Sequence, residues 1–351
     1  MVGALHLGAR KERGAEHRLE TDDRPLITFA VFAYNQVRWV RAAVEAALAQ
    51  TWTPLQIILS DDGSTDGTFA IMEELAHSYH GPHQVQLNRN PRNLGIGGHV
   101  NRVMELVAGD LVVVAAGDDI SVPHRTQTLV GAWQRAGRQA RSLHSAVVEM
   151  DGAGRPLRTR PYLHSERLND AIYLARHGVG VLGASHAWAR EVFETFGPLM
   201  PELVREDIAI SFRSALLGHI EYVSEPLVHW RVGFSGWHDM HAASVDVDEM
   251  RRRSEFNLRL AYIDARQASL DVARVHNPLV AKAVRTRHLE FELMYQIARG
   301  ERIRPDELIT AVRAGASLWE LSKCAFKHRS RHVYALALKL RTRAQRTREA
   351  R

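Results

Sequence analysis

Short apolar runs alternate with helical stretches through the first 120 residues of the chain. Runs of mostly β-branched and other aliphatic residues predict buried strands at residues 26–33, 55–60, 85–87 and 111–115. Apolar residues spaced three and four apart predict helices between these strands, at residues 37–50, 66–80 and 100–107. Because strand and helix alternate, we expect an α/β fold with a doubly wound, mostly parallel sheet and helices on both faces.

The pattern is less regular after residue 122. It predicts, in chain order, a helix, a strand, a short helix, an amphipathic helix and two short strands, at residues 123–137, 143–149, 191–196, 204–217, 219–223 and 226–230. Residues 151–180 are polar and irregular, and we interpret them as an insertion or a loop beside the site.

From about residue 245 the pattern changes to long helices with few strand signals. These helices are predicted at residues 247–266, 281–299, 305–314 and 319–348. We therefore expect a flexible arm at residues 1–24 and an α/β domain at residues 25–240, with halves 25–122 and 123–240. A helical C-terminal region should follow at residues 241–351.

Two adjacent carboxylates, Asp118 and Asp119, follow the most apolar predicted strand. Ligands of open α/β sheets bind outside the carboxyl ends of the strands, so this pair should border a cleft. The pair is not expected in a core without partners, because burying an unpaired charge is costly. Hard cations and metal-bound phosphates suit such a cleft.

A second acidic turn, Asp61-Asp62-Gly63-Ser64, follows the second predicted strand. Thr65 or Asp66 suffices to cap the next helix, so we expect the two aspartates to face the cleft rather than the helix amides. A carboxylate there can accept a hydrogen bond from a base N–H or from ribose hydroxyls. The nearby run Gly95-Ile96-Gly97-Gly98 does not complete a dinucleotide-binding motif, and we interpret Gly95 as a turn residue with positive φ.

A third acidic pair, Glu206-Asp207, opens the helix predicted at residues 204–217. Helix N-termini favour acidic residues, so capping alone would explain the pair. The histidine pairs offer less, because neither His328 with His332 nor His238 with His241 has a carboxylate or cysteine that completes a metal site.

The composition, 45% hydrophobic and 25% charged, is that of a soluble globular protein. We find no apolar run of about 18 residues and no secretory signal, and the single cysteine, Cys324, fits a reducing cytoplasm. Much of the net charge of +6 lies near the C-terminus. Glu349 is the one acidic residue of this segment, and its basic residues are Lys327, Arg329, Arg331, Lys339, Arg341, Arg343, Arg346, Arg348 and Arg351. A solvated helix end and an anionic membrane surface both fit this segment; nucleic acid does not, since no nucleic-acid motif accompanies the charge.

Taken in order, several motifs resemble those of the family 2 glycosyltransferases over residues 26–231. They are Ala33-Tyr34-Asn35, residues 61–68, Asn93-Leu94-Gly95, Ala108-Gly109-Asp110, Gly117-Asp118-Asp119 with Pro123, and Glu206-Asp207 followed by Gly218 and Arg231. The resemblance implies a GT-A fold and inverting transfer of a hexosyl group from a UDP, GDP or dTDP sugar. The acceptor would be a hydroxyl of a glycan, a lipid-linked molecule or a protein, in bacterial surface polysaccharide, lipopolysaccharide or glycoprotein synthesis.

The resemblance also implies roles for particular residues. The half of the domain that binds the nucleotide sugar would be residues 25–122. The residues that bind the nucleotide would be Ala33, Tyr34, Asn35, Asp61, Asp62, Gly63, Ser64, Asn93, Gly95 and Asp118, together with Arg231 from the other half. Asp119, with Asp118, would bind a divalent metal ion, Mn or Mg. The acceptor side would consist of residues 123–240, with Asp207 and Glu206 as the acidic pair that supplies the general base.

Two further features qualify these expectations. Many family members carry an aspartate two positions before Asp118, where this chain has Ala116, so its metal site would rely on fewer carboxylates. The segment 233–238 would form a lid, in which Trp237 stacks on a sugar and His238 lies next to it.

Two other functions remain open at this stage. A nucleotidyltransferase that makes nucleotide sugars would need a Gly-rich loop with Arg or Lys after the first strand, and residues 32–36 contain none. A non-catalytic sugar-nucleotide scaffold is favoured by Ala116 but disfavoured by the intact Glu206-Asp207 pair. The oligomeric state cannot be inferred from the sequence.

Overall fold

The computed structural model describes residues 24–162, 165–233 and 247–329. The first half alternates strand and helix: β1 Ile27–Ala33, α1 Val40–Leu48, β2 Leu55–Asp61, α2 Thr68–Ser78, β3 Gln84–Arg89, α3 Gly95–Met104 and β4 Leu111–Ala116. The four predicted strands are therefore confirmed.

Two details of the helices in this half differ from the prediction. Helix α3 begins at Gly95, so the glycine run forms its first turn and is not a separate loop, although Gly95 does have a positive φ of 73°. The N-cap of α2 is Gly67 rather than Thr65 or Asp66. Asp66 nevertheless accepts hydrogen bonds from the backbone N and the Oγ1 of Thr68, at 3.0 and 2.6 Å.

The second half contains more strands than the pattern predicted. Its elements are β5 Ile120–Ser121, α4 Arg125–Arg135, β6 Ala140–Met150, β7 Pro156–Arg160, α5 Ala171–His177, β8 Ala187–Ala189, α6 Glu191–Phe196, α7 Glu206–Leu217 and β9 His219–Arg231. Residues 151–180 are thus not irregular throughout, since β7 and α5 lie within them. The whole of β7 is exposed, so no apolar alternation marked it in the sequence.

Strand β9 replaces the two short strands predicted around Pro226. Its parallel register with β6 shifts between Ser145, which pairs with Val223, and Ala146, which pairs with Pro226. Such an irregularity accommodates a proline that cannot donate to the ladder, and the strand therefore continues.

The sheet follows the order β3-β2-β1-β4-β8-β6-β9-β5, and β7 pairs with β6. The long pairings are parallel, including seven residue pairs between β1 and β2. The antiparallel pairings are short, such as three residue pairs between β4 and β8. The predicted α/β fold with a mostly parallel sheet is therefore confirmed.

Helices cover both faces of this sheet. On one face α1, α2 and α4 pack on Ile27, Phe29 and Val31 of β1. On the other, α3, α6 and α7 pack on Ala30 of β1 and Val112 of β4. Because neighbouring residues of a strand point to opposite faces, each central strand supplies both cores and must be apolar throughout.

The helices of the predicted C-terminal region are confirmed as α8 Val247–Val272, α9 Pro278–Ala298, α10 Pro305–Ala314 and α11 Leu318–Arg329. Residues 330–348 of the last predicted helix, and the predicted arm apart from Arg24, lie outside the described residues. Ile263 of α8 joins the core beneath α7, whereas Leu293, Leu321 and Cys324 belong to a separate cluster of α9, α10 and α11. None of the helices within the described ranges is long and apolar enough to cross a bilayer.

Candidate active site

A cleft of about 600 Å³ opens at the carboxyl edge of β1 and β4. Most of the predicted site residues line it, namely Ala33, Tyr34, Asp62, Asn93, Gly95, Asp118, Asp119, Glu206, Asp207 and Arg231. Asn35, Asp61, Gly63 and Ser64 do not. The predicted lid residues Trp237 and His238 lie outside the described residues.

The four predicted residues absent from the lining lie at the ends of β1 and β2, where Asn35 binds the turn that follows β2. The Asp61 Oδ2 atom accepts a hydrogen bond from the Ser64 backbone N at 2.9 Å, and the Ser64 Oγ accepts one from the Asn35 backbone N at 2.8 Å. Gly63 has a φ of 74°, and a Cβ there would lie 2.7 Å from the backbone of Arg92. This turn therefore fixes the wall of the cleft from behind.

The sequence suggested that Asp62 faces the cleft and not helix amides. Asp62 does line the cleft, but its carboxylate also accepts hydrogen bonds at the start of α3. Its Oδ1 accepts hydrogen bonds from the Asn90 side chain at 2.7 Å and from the Leu94 backbone N at 2.9 Å, and its Oδ2 accepts one from Gly95 at 3.1 Å. Asn93 binds the same Gly95 amide at 2.7 Å. Helix amides carry partial positive charge, which explains why a carboxylate is stable here.

The carboxylates of Asp118 and Asp119 are largely withdrawn from water at the end of β4. Burial raises the pKa of both, and the neighbouring Asp118 charge raises the pKa of Asp119 further. Arg125 and Arg231 act in the opposite direction on Asp119, whose Oδ1 accepts a hydrogen bond from the Arg231 backbone N at 2.8 Å. Two anions held this close are stabilised by any further cation.

These two carboxylates fit a divalent metal ion only as a partial ligand set. No cluster of three or more His, Cys, Asp or Glu side chains that could hold a metal occurs within residues 24–162, 165–233 and 247–329. The remaining ligands would have to be oxygen atoms of a bound phosphate or of water, which Mg²⁺ commonly uses.

Arg231 is largely committed to the protein backbone. Its guanidinium donates to the carbonyl oxygens of Asp118, Asp151 and Gly152, at 2.9, 2.8 and 3.0 Å. It also lies over the Trp39 ring, 5.5 Å from the centroid. Arg231 thus ties the end of β9 to the Asp118 turn, and its positive charge remains beside the acid pair.

Glu206 and Asp207 form the first turn of α7 and also line the cleft. Burial raises the pKa of Glu206 to about 8, and the Asp207 charge contributes. Burial also raises the pKa of Asp207, which is opposed by its hydrogen bond from the Ile208 backbone N and by the charge of Arg205. The ionised form of Asp207 therefore has more support from its neighbours than that of Glu206, which makes Asp207 the stronger candidate for a base.

A second cavity, of about 210 Å³, shares Asp207 with the cleft. Tyr162, Gly180 and Leu182 line it together with Arg160 of β7. The Tyr162 hydroxyl donates a hydrogen bond to the Gly180 carbonyl at 2.5 Å, which fixes the ring as one wall. Asp207 is thus accessible from two spaces.

Gln36, His99 and Arg205 also line the cleft, although none of them was predicted as a site residue from the sequence. The Gln36 side chain bonds Asp118, and its Oε1 atom is buried without a hydrogen-bond partner among the described atoms. The His99 Nε2 lies 2.6 Å from the Ser60 Oγ. Gln36 follows the predicted residue Asn35 directly, but no spacing in the sequence marked His99 or Arg205.

Fold and site together define an α/β protein of the GT-A type, with two acidic pairs that line one open cleft. Residues 28–195 match the model of the family described as glycosyl transferase family 2. This segment, 168 of the 351 residues, is similar to that family of transferases. The matched segment ends before Glu206, Asp207 and Arg231, whose assignment rests on the geometry given above.

Individual proteins are similar to this chain in sequence or in fold. An uncharacterized glycosyltransferase of Nostoc sp. is 26% identical over 250 residues, 68% of this chain and 74% of its own. The succinoglycan biosynthesis protein ExoO of Rhizobium meliloti is 31% identical over 131 residues, 37% of this chain and about a third of its own length, 36%. The crystal structure of residues 1–349 of S. aureus TarS in complex with UDP-GlcNAc superposes with a TM-score of 0.55 at 15% identity and covers 88% of both chains.

Proposed function

We propose that the protein transfers a sugar from a nucleotide-diphosphate donor to an acceptor hydroxyl with inversion at the anomeric carbon. The observation that carries this proposal is that Glu206-Asp207 and Asp118-Asp119 line one cleft. The cleft then contains both a base of raised pKa and an anionic pair suited to a metal-bound diphosphate.

The donor would occupy the wall formed by the ends of β1, β2 and β4. The Tyr34 side chain is 44% exposed there and offers a ring on which a nucleobase can stack. The TarS structure carries UDP-GlcNAc on the same fold, which supports a nucleotide sugar as donor here.

Asp119 and Asp118 would hold a divalent cation, Mn or Mg, together with the diphosphate. Such an ion neutralises the phosphates and stabilises the departing diphosphate when it is bound. Ala116 contributes no third carboxylate, so we expect the affinity for metal in the absence of donor to be low.

Asp207 would act on the acceptor side. Its carboxylate takes the proton of the acceptor hydroxyl while that oxygen forms its bond to the anomeric carbon, and the bond from this carbon to the diphosphate oxygen breaks on the opposite face. A single displacement of this kind inverts the anomeric centre and needs no second carboxylate as nucleophile. Glu206, whose pKa is raised by burial, lies beside Asp207 in the same turn.

The acceptor would approach Asp207 through the second cavity beside Tyr162. A glycan, a lipid-linked molecule and a protein each carry the required hydroxyl. ExoO is named for succinoglycan biosynthesis, and this favours a bacterial surface polysaccharide as the product.

An anionic membrane surface would bring the enzyme to such acceptors, at the inner face of the cytoplasmic membrane. Helix α11 exposes Trp319 and Phe326, at 69% and 68%, on the side away from the buried Leu321 and Cys324. Lys323 lies over the Trp319 ring, 5.3 Å from its centroid, and the basic segment 331–351 follows in the sequence. Exposed aromatic rings with adjacent lysines fit the interface of an anionic bilayer. No contact among the described residues adds support for the nucleotidyltransferase or for the scaffold that Ala116 favours.

The test combines a donor panel with the variant Asp207→Asn. Hydrolysis and transfer of UDP, GDP and dTDP sugars are measured with Mn or Mg, and the variant should lower kcat by about 10²–10⁴-fold while donor affinity stays within about twofold. Glu202→Gln, an exposed change nearby, is the matched control and should leave kcat unchanged. Full activity of Asp207→Asn would refute the assignment of the base, and failure of every donor to bind would refute the donor class.

A further inference from the structure

Helix α8 presents a buried polar stripe to the segment that leads into the acid pair of α7. Asp264, Gln267 and Asp271 are three and four residues apart and therefore lie on one face of the helix. Their exposed fractions are only 7%, 2% and 1%. Buried polar groups need partners, and all three side chains find them within residues 197–213.

Two of these contacts lie away from the cleft. Asp271 pairs with Arg213 through two hydrogen bonds, from Nε at 3.0 Å and from Nη2 at 2.9 Å. Gln267 accepts a hydrogen bond from the Met200 backbone N at 2.7 Å and donates one to Asp271 at 2.9 Å. These contacts dock α8 on the body of the α/β domain.

The third contact lies directly beside the site. Asp264 forms an ion pair with Arg205, the residue immediately before Glu206. Arg205 lines the cleft together with Glu206 and Asp207, whereas no described residue of α8 does. Arg205 is therefore the charged link between the C-terminal helices and the candidate base.

The charges around this link are few. Arg205 and Asp264 both interact with Asp207, and Arg287 of α9 is the second cation that acts on Asp264. Tyr162 faces Asp207 from the second cavity. Arg160 of β7 lines the same cavity as Asp207, and Glu206 lies next to Asp207 in the chain.

We propose that Asp264 is a positioning residue for glycosyl transfer, which holds the Arg205 guanidinium away from the Asp207 carboxylate. This inference deepens the proposed function and rests on it. Without the Asp264 charge, Asp207 remains as the carboxylate that interacts with Arg205, and the two would pair directly. Direct pairing stabilises the ionised form of Asp207 and weakens it as a base. The C-terminal helices thereby act on the reaction without touching either substrate.

Asp264→Asn should lower the pKa of Asp207 in two ways. Loss of the Asp264 charge lowers the pKa of Asp207, and closer approach of Arg205 lowers it further. The acidic limb of the kcat profile should therefore move to lower pH by about half a unit or more, while the plateau falls about tenfold. The donor KM should stay within about twofold, because the donor wall is not touched.

The experiment uses the full chain and the nucleotide sugar that the wild type consumes, from about pH 5 to about pH 10. The matched control is Asp271→Asn, which removes the other aspartate of the same stripe and should lower the melting temperature without moving the acidic limb. Asp264→Glu, which keeps the carboxylate, should restore most of the plateau.

Several outcomes separate this inference from the proposed function. An unchanged limb in Asp264→Asn, or a shift of equal size in Asp271→Asn, overturns the positioning role. If Asp264→Asn does not fold, Arg205→Gln tests the same link, because loss of the guanidinium should raise the pKa of Asp207 and move the limb to higher pH; an unmoved limb again overturns it. A wild-type chain that consumes no nucleotide sugar refutes the proposed function itself.

Discussion

At the residue scale, the site consists of carboxylates held where they are not fully hydrated. Burial raises the pKa of Asp118, Asp119, Glu206 and Asp207, and each pair adds mutual repulsion. Such an arrangement costs folding free energy, and perturbed pKa values of this kind concentrate at functional sites. Local electrostatics therefore supports the same residues that the motifs indicated.

This cost predicts that Glu206→Gln stabilises the protein at high pH. The ordinary pKa of a glutamate is 4.5 and that of Glu206 in the fold is about 8, so the wild type loses stability as pH rises between these values. A glutamine has no charge to lose. We expect the melting temperature of the variant to exceed that of the wild type by about 2–4 °C near pH 9 and by less than about 1 °C near pH 5.

Thermal unfolding of both proteins at the two pH values measures this difference. Glu202→Gln serves as the control, because Glu202 is exposed in the segment before α7. An equal gain in melting temperature at both pH values would mean that a change in packing, and not the ionisation of Glu206, distinguishes Glu206→Gln from the wild type.

At the element scale, α3 joins the two walls of the cleft. Asp62 holds its first amides, and the Gly97 backbone N donates to the Leu203 carbonyl at 3.0 Å. A Cβ on Gly97 would lie 2.5 Å from the Met200 carbonyl oxygen. The close approach of α3 to residues 200–203 thus requires glycine, and those residues lead directly to the acid pair.

Gly97→Ala should therefore destabilise the protein although alanine favours helix. We expect a loss of about 1–3 kcal/mol in the free energy of unfolding from the clash, together with lower activity, because the segment before Glu206 must move. Denaturant unfolding and donor turnover measure the two effects.

Gly131→Ala on α4 is the control for this substitution. A Cβ there would meet only the end of the Arg135 side chain, at 3.3 Å, so helix propensity should stabilise the variant by up to about 1 kcal/mol. Equal stabilisation by Gly97→Ala would show that α3 can withdraw from the 200–203 segment.

At the scale of the whole molecule, the C-terminal helices serve two surfaces of the protein. Helix α8 docks on α7 through its polar stripe, and α11 packs against α9 through Leu321 and Cys324. The outer side of α11 exposes Trp319 and Phe326. The region therefore adjoins the site at one end and offers an apolar, basic surface at the other.

The proposed membrane contact predicts salt-sensitive binding to anionic vesicles. Removing residues 330–351 leaves α11 complete but deletes most of the terminal basic residues. The full chain should sediment with vesicles of about 30% phosphatidylserine at low ionic strength, and the shortened chain should bind at least about fivefold less. Neutral phosphatidylcholine vesicles are the control. Equal binding of both chains would remove the basic tail from the proposal.

The sequence by itself determined the alternation of strands and helices and the acidic turns after β2 and β4. Central strands of a parallel sheet are buried on both faces, so their apolar runs are local signals. The helix Glu191–Phe196 also has the bounds predicted for it. Ten of the residues predicted from the motifs line one cleft.

Only the tertiary structure decided what depends on partners far along the chain. The two-residue β5 and three-residue β8 are strands because neighbours pair with them, and such short segments carry no periodicity. Asp62 holds the amide of Leu94, 32 residues away, so the sequence could not separate a ligand role from a capping role. Asp264 meets Arg205 only because α8 packs on α7. The charge beside the candidate base is thus fixed by packing between elements, which no local pattern records.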